Sequence, residues 1–138
     1  MSISDPYFST DRCVTRLLEQ YALHNNLIVG YDFDDTVYDY HNHGYRYDKA
    51  ISLLRKCTEL GFTMVLYTAQ ETEEGILNCD RVCESLDIGI DYINRSPVMP
   101  RSDKPFFNIL LDDKAGLGQA CEILEKTLNE IEKLKEQE

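Results

Sequence analysis

The chain has 138 residues, 43% of them hydrophobic and 28% charged, which suits one domain built around one core. A net charge of −11 disfavours nucleic acid as a partner. No apolar run approaches the ~20 residues needed to span a bilayer, so a membrane is not an expected partner.

In chain order, residues 1–9 read as a leader without the basic and apolar regions of a signal peptide. Ser9 or Thr10 caps a helix of roughly residues 10–24, with Val14, Leu17, Leu18 and Tyr21 on one stripe; Asn25-Asn26 closes this N-terminal segment. The apolar run Leu27-Ile28-Val29 opens a buried strand of about residues 27–32 that ends in Asp32-Phe33-Asp34-Asp35. Residues 38–47 hold four tyrosines, two histidines and no aliphatic side chain. They read as a loop beside the carboxylates. His41 and His43 are candidates for metal binding or proton transfer, against the simpler reading of rings packed on their neighbours or a flap over substrate.

Asp48 is the expected cap of a helix over about 48–60, stopped by Gly61. A second apolar strand, Phe62 to Thr68, follows. Next come a helix of about 73–86 capped by Thr72 and a short strand from Ile88 to Ile93. Arg95 to Pro105 is an irregular connection. Phe106 to Asp113 reads as a fourth strand, again ending in carboxylates, and from about Leu117 one amphipathic helix runs on, its last residues 135–138 frayed. That helix packs on the sheet or serves as a homo-oligomer contact. The five cysteines fall mostly on apolar helix faces and read as reduced core residues of a cytoplasmic protein. Cys79 and Cys83 lie a turn apart, but no second Cys/His pair stands at zinc spacing.

Strands alternating with helices predict an α/β fold: a Rossmann-like parallel sheet with helices on both faces. Right-handed crossovers bring the carboxyl ends of all strands to one edge. That edge collects Asp32, Asp34, Thr68 and Asp112-Asp113, with Lys104 reaching over from the connection. Carboxylates so crowded repel one another unless a cation or protons neutralise them, and Mg²⁺ suits oxygen donors. An EF-hand is excluded, because its sixth and twelfth positions counted from Asp32 hold Val37 and His43. A receiver domain is excluded by order, since here the acid pair comes last.

Asp32-Phe33-Asp34-Asp35-Thr36-Val37 resembles the first motif, DxDx(T/V), of the haloacid dehalogenase (HAD) superfamily of phosphohydrolases. Thr68 after an apolar strand is similar to the second motif. Lys104, eight residues before Asp112, is similar to the third, and Asp112-Asp113 after Asn108-Ile109-Leu110-Leu111 resembles the fourth. The resemblance covers about residues 27–120. It implies Asp32 as nucleophile and Asp34 as general acid and base, with Thr68, Ala69 and Lys104 on the phosphate. It implies Mg²⁺ held by the Asp32 side chain, the Asp34 main-chain carbonyl and the Asp112 side chain, with Asp113 and Thr36 supporting them. The family often has Gly at the place of Asp35, which is expected to face helix or solvent. Neither Val37–Phe62 nor Thr68–Lys104 has room for a cap domain, and the stretch Thr68 to Gly75 is similar to small capless bacterial members. The expectation is a Mg²⁺-dependent phosphomonoesterase acting on a phosphorylated small molecule. The alternative is a silent HAD-fold module that binds phosphate or a partner.

Overall fold

The computed structural model describes residues 8–98 and 105–137. Its sheet contains β1 (Ile28–Asp32), β2 (Thr63–Tyr67), β3 (Tyr92–Ile93) and β4 (Ile109–Leu111), in the order β3-β2-β1-β4 and all parallel. The expected α/β class is the observed one, with β1 inside the sheet. In register, Asp32 stands opposite Tyr67 and Tyr31 opposite Leu111. One step further along each strand therefore brings Thr68 and Asp112 to the edge where Asp32 ends.

Among the described residues, four helices flank this sheet: α1 (Thr10–His24), α2 (Asp48–Glu59), α3 (Glu73–Ser85) and α4 (Leu117–Glu136). Their stripes converge on the alternate strand residues Val29, Tyr31, Met64, Leu66, Ile109 and Leu111 in one core cluster. Helices were expected on both faces, yet α4 packs against both α1 and α2, so the helices gather on the Tyr31 side. The opposite pleat, with Gly30, Tyr67 and Leu110, meets Phe107 instead. A Cβ on Gly30 would stand 3.1 Å from the Tyr67 ring and 3.2 Å from Phe107. The Tyr67 hydroxyl donates to the Phe106 carbonyl at 3.1 Å, tying the connection down over that face.

Local chemistry sets most boundaries. Ser9 Oγ accepts from the Arg12 amide at 3.3 Å and caps α1, and Asn25 ends it at φ 52°. Thr72 Oγ1 accepts from the Gly75 amide at 3.0 Å and caps α3. Asp48 is not a cap. Tyr47 holds that position in the left-handed region without a side-chain cap, and Asp48 is the first helical residue. Tyr47 is held there from outside the helix, since its hydroxyl donates to Asp35 and Asp39, each at 3.4 Å.

Two strands are shorter than expected. The amides of Ile88 and Gly89 donate to the Cys83 carbonyl and Thr58 Oγ1, so only Tyr92–Ile93 are left to pair. Before β4, Asn108 Oδ1 accepts from the Ile28 amide at 2.6 Å, a side chain standing in for the ladder. The helix α4 stays ordered through Glu136, beyond the expected fraying point. On it Leu134 is 50% exposed, while Thr127 is fully buried, its hydroxyl donating to the Ile123 carbonyl at 2.8 Å.

Tyr31 is the largest polar-tipped side chain in the core. Its hydroxyl donates to the Gly89 carbonyl at 2.8 Å and lies 3.8 Å from Cys83 Sγ, and burial pushes its pKa far up. Tyr31→Phe removes a buried bond and is expected to cost about 1–2 kcal/mol. A urea titration checks this: the midpoint falls and the slope stays the same.

Candidate active site

The tight turn after β1 builds the first wall. The Phe33 carbonyl accepts from the amides of Thr36, Val37 and Tyr38, so the chain reverses within five residues. This turn places Asp35 at φ 62°, a conformation that aspartate tolerates better than most residues and glycine better still. It also buries Thr36 completely. The Thr36 hydroxyl donates to Asp32 Oδ2 at 3.4 Å and accepts from the Asp113 amide at 3.1 Å. One hydroxyl therefore ties the end of β1 to the turn after β4. That second turn is closed by the Lys114 amide donating to Asp112 Oδ1 at 2.9 Å.

Asp32, Asp112 and Asp113 come together: each offers a carboxylate oxygen, and these lie within 4.8 Å of one another. The half-buried Asp32 responds as electrostatics requires. Burial first, then the charge of Asp112, pushes its carboxyl up to about 7. Asp34 is raised as well, by burial first; the Gln70 hydrogen bond opposes the rise and the charge of Asp35 adds to it. Asp34 Oδ1 is buried and has no hydrogen-bond partner.

Thr68 stands just past β2. Asn94 clamps its backbone from both sides, accepting from its amide at 2.7 Å and donating to its carbonyl at 2.9 Å. Thr68 Oγ1 accepts from the Gln70 amide at 3.1 Å, with Cys79 Sγ as its other neighbour. Ala69 is exposed beside it. Lys104 lies outside the described residues. Two contributors escaped the sequence reading, Gln70 and Asn94. Asn94 had one signal, its place at the end of an apolar strand; Gln70 had none beyond closeness to Thr68.

Asp35 faces neither helix nor open solvent. It points into the tyrosine- and histidine-rich loop, bonded to His41 Nδ1 and the Tyr47 hydroxyl. Burial would raise its carboxyl, but the hydrogen bond and charge of His41 outweigh that and hold it below the usual range. Tyr40, His41, His43, Tyr45 and Tyr47 form a chain of ring contacts, with centroids 5.1–6.3 Å apart. Asp35, Asp39 and His43 also bring ligand-capable atoms within 4.8 Å. The Asp39 carboxylate is already engaged there, accepting from the amides of His43 at 2.9 Å and Gly44 at 2.7 Å. The loop thus packs its rings on its neighbours.

No protein-family model and no curated protein matches this chain. Among solved structures, a conserved protein of Bacteroides thetaiotaomicron superposes with a TM-score of 0.58. It covers 74% of this chain and 92% of its own, at 19% identity. At that identity the likeness shows the fold: a parallel α/β sheet of Rossmann-like type. Among the described residues no helix is long and apolar enough to cross a membrane. Cysteines 13, 57, 79, 83 and 121 are all buried, and no disulfide joins any of them among the described residues.

Proposed function

We propose that this chain is a Mg²⁺-dependent, capless phosphohydrolase of the HAD type, acting on phosphomonoesters through an aspartyl-phosphate at Asp32. The observation that carries the reading is the meeting of Asp32 with Asp112 and Asp113, from adjacent parallel strands, with Asp34 two residues further along the chain. In open α/β sheets this edge is where ligands bind.

The donor set fits a hard divalent cation. It is all oxygen, and the charge of Asp112 adds to burial in raising Asp32 when no positive charge balances it. Asp32 and Asp112 would hold the ion through their side chains, with the Asp34 carbonyl as the third donor that the resemblance implies. When bound, Mg²⁺ offsets negative charge so that a phosphate ester and a carboxylate can approach each other.

The chain's own residues do the rest. An Asp32 oxygen attacks phosphorus, and the bond from phosphorus to the ester oxygen breaks. Asp34, whose burial favours the neutral acid, gives its proton to the leaving oxygen. The Asp34 carboxylate then takes a proton from water. The resulting hydroxide attacks phosphorus, the bond to Asp32 breaks, and inorganic phosphate leaves. Thr68, with its backbone clamped by Asn94 and its oxygen already accepting from Gln70, has its hydroxyl proton to offer a phosphoryl oxygen. Lys104 has the charge for a second oxygen, as the resemblance implies.

The test is phosphate release from an aryl phosphate, with Mg²⁺ or with chelator. Release that requires Mg²⁺ is expected. No release under either condition, together with no effect of Mg²⁺ on the melting temperature, would overturn the proposal; a stabilising Mg²⁺ effect without turnover would favour the silent binding module.

A further inference from the structure

We propose that the rings of Tyr40 and Tyr45 seat the alcohol half of the substrate, and that this half carries a flat aromatic ring, as in a nucleoside monophosphate; this rests on the phosphohydrolase reading above. The loop that holds them, residues 38–47, leaves directly from the turn that contains Asp34. Asp34 and Tyr38 pair as an isolated bridge, and the Asp35 amide donates to the Tyr38 carbonyl at 2.7 Å. The Tyr38 ring stacks on Phe33, with centroids 5.1 Å apart. Further along, His41 Nδ1 and the Tyr47 hydroxyl both bond the Asp35 carboxylate. The loop is thus fastened to residues 33–35 through Tyr38, His41 and Tyr47, which keeps its rings beside the carboxylate edge.

The rings hold one another in a row. Tyr40 meets His41 edge-on at 5.1 Å, His41 stacks on His43 at 5.5 Å, His43 meets Tyr45 at 5.4 Å and Tyr45 meets Tyr47 at 6.3 Å. The Asp39 carboxylate fixes the backbone in the middle of the row by accepting from the amides of His43 and Gly44. A row built this way is set before a ligand arrives, which lowers the cost of binding one. Yet Tyr40 is 57% exposed and Tyr45 65%. Large rings held rigid beside a site and left in water mark a surface that takes a ligand. Tyrosine offers contact area with only two torsions to fix, and every nucleobase has a π face to lay against it. Charge narrows the choice further. The loop has one arginine and no lysine, and Arg46 is already paired with Asp48 at 3.5 Å, in a chain of net charge −11. That balance suits a ring carried on a monoester, and it disfavours a polyphosphate or a nucleic-acid end.

The experiment compares kcat/KM for phosphate release from adenosine and uridine monophosphates, esterified at the primary hydroxyl, with that from the corresponding ribose phosphate. All three lose the same primary alkoxide, so the comparison isolates the base. Wild type is expected to favour at least one nucleotide by about 5–150-fold, the effect that stacking one base on an aromatic side chain ordinarily has. The double variant Tyr40→Ala/Tyr45→Ala is expected to lose that preference, while its rate on ribose phosphate changes less than about threefold. Tyr40→Phe/Tyr45→Phe is expected to keep the preference, because stacking needs the ring and not the hydroxyl. If the alanine variant fails to fold, Tyr40→Leu/Tyr45→Leu keeps apolar bulk without an aromatic face, and the same unequal loss is expected. Nucleotides no better than ribose phosphate in wild type, or equal losses on both in a folded variant, would overturn the aromatic seat while leaving the phosphohydrolase reading in place. No phosphate release by wild type from these esters or from an aryl phosphate would overturn both.

Discussion

Asp32→Asn is expected to abolish phosphate release and, at the same time, to make the metal-free chain more stable. The loss follows from the proposed role of Asp32 as nucleophile, whose removal in covalent catalysis costs on the order of 10⁴-fold or more. The gain follows from the same carboxylate's surroundings. Burial and Asp112 raise its pKa to about 7, against about 3.9 in an unfolded chain. A raised carboxyl favours the folded state where it stays protonated, so its contribution is full below about pH 4 and is lost as pH rises through about 7. Above that range the folded chain holds an ionised carboxylate in an unfavourable place. A fully buried group shifted this far would cost about 4 kcal/mol; solvent screening of a half-buried one reduces this to about 1–2 kcal/mol. Asparagine cannot ionise. At pH 8 in chelator, Asp32→Asn should therefore melt about 3–8 °C above wild type, with the gap closing near pH 4. Mg²⁺ should raise the melting temperature of wild type and have little effect on the variant. A variant less stable than wild type at pH 8 without metal would contradict the crowding of carboxylates at this edge.

The second large effect is expected at Asp112. It stands level with Asp32 one step past the last paired residues of β1 and β4, and its oxygen belongs to the same cluster. Asp112→Asn keeps the shape and removes one negative charge from the donor set. Residues that merely support metal ligands cost about 10–100-fold in metal affinity when lost, and a direct donor should cost at least as much. Titrating Mg²⁺ against phosphate release should move the half-activating concentration up by that factor, with activity partly restored at high Mg²⁺. An unchanged midpoint would remove Asp112 from the set of ligands.

The parts of this molecule that the sequence made legible are those where one local rule acts alone. The apolar runs of β1 and β2 and the caps Ser9 and Thr72 follow from burial and hydrogen bonding within a few residues. The carboxylate edge was legible because parallel topology sends strand ends one way, which brought Asp32 and Asp112 together from residues 80 apart. What could not be read depends on distant partners. Tyr47 takes the cap position before α2, with its hydroxyl held by Asp35 and Asp39, and nothing local to Asp48 signals that. The strand expected from Ile88 shortens to Tyr92–Ile93 because Thr58 and the end of α3 take the amides of Ile88 and Gly89. The helices gather on one side because α4 returns over α1 and α2, a choice of packing that periodicity does not encode. Asn94 and Gln70 escape for the same reason. Each is an ordinary loop residue by sequence, and each gains its place at the site from a bond to a residue 26 or more positions away.

The central claim is a phosphoryl group carried on Asp32, and Asp34→Asn gives the most direct view of it. Without the base proposed at Asp34, water should attack the intermediate slowly, while an aryl leaving group should still depart without an acid. Mixing this variant with an aryl phosphate and Mg²⁺, quenching in acid and measuring intact mass should show one added phosphoryl group. Peptide mapping should place it on Asp32, and chelator should prevent it. A chain that gains no phosphoryl group, or gains one on another residue, would contradict the aspartyl-phosphate mechanism.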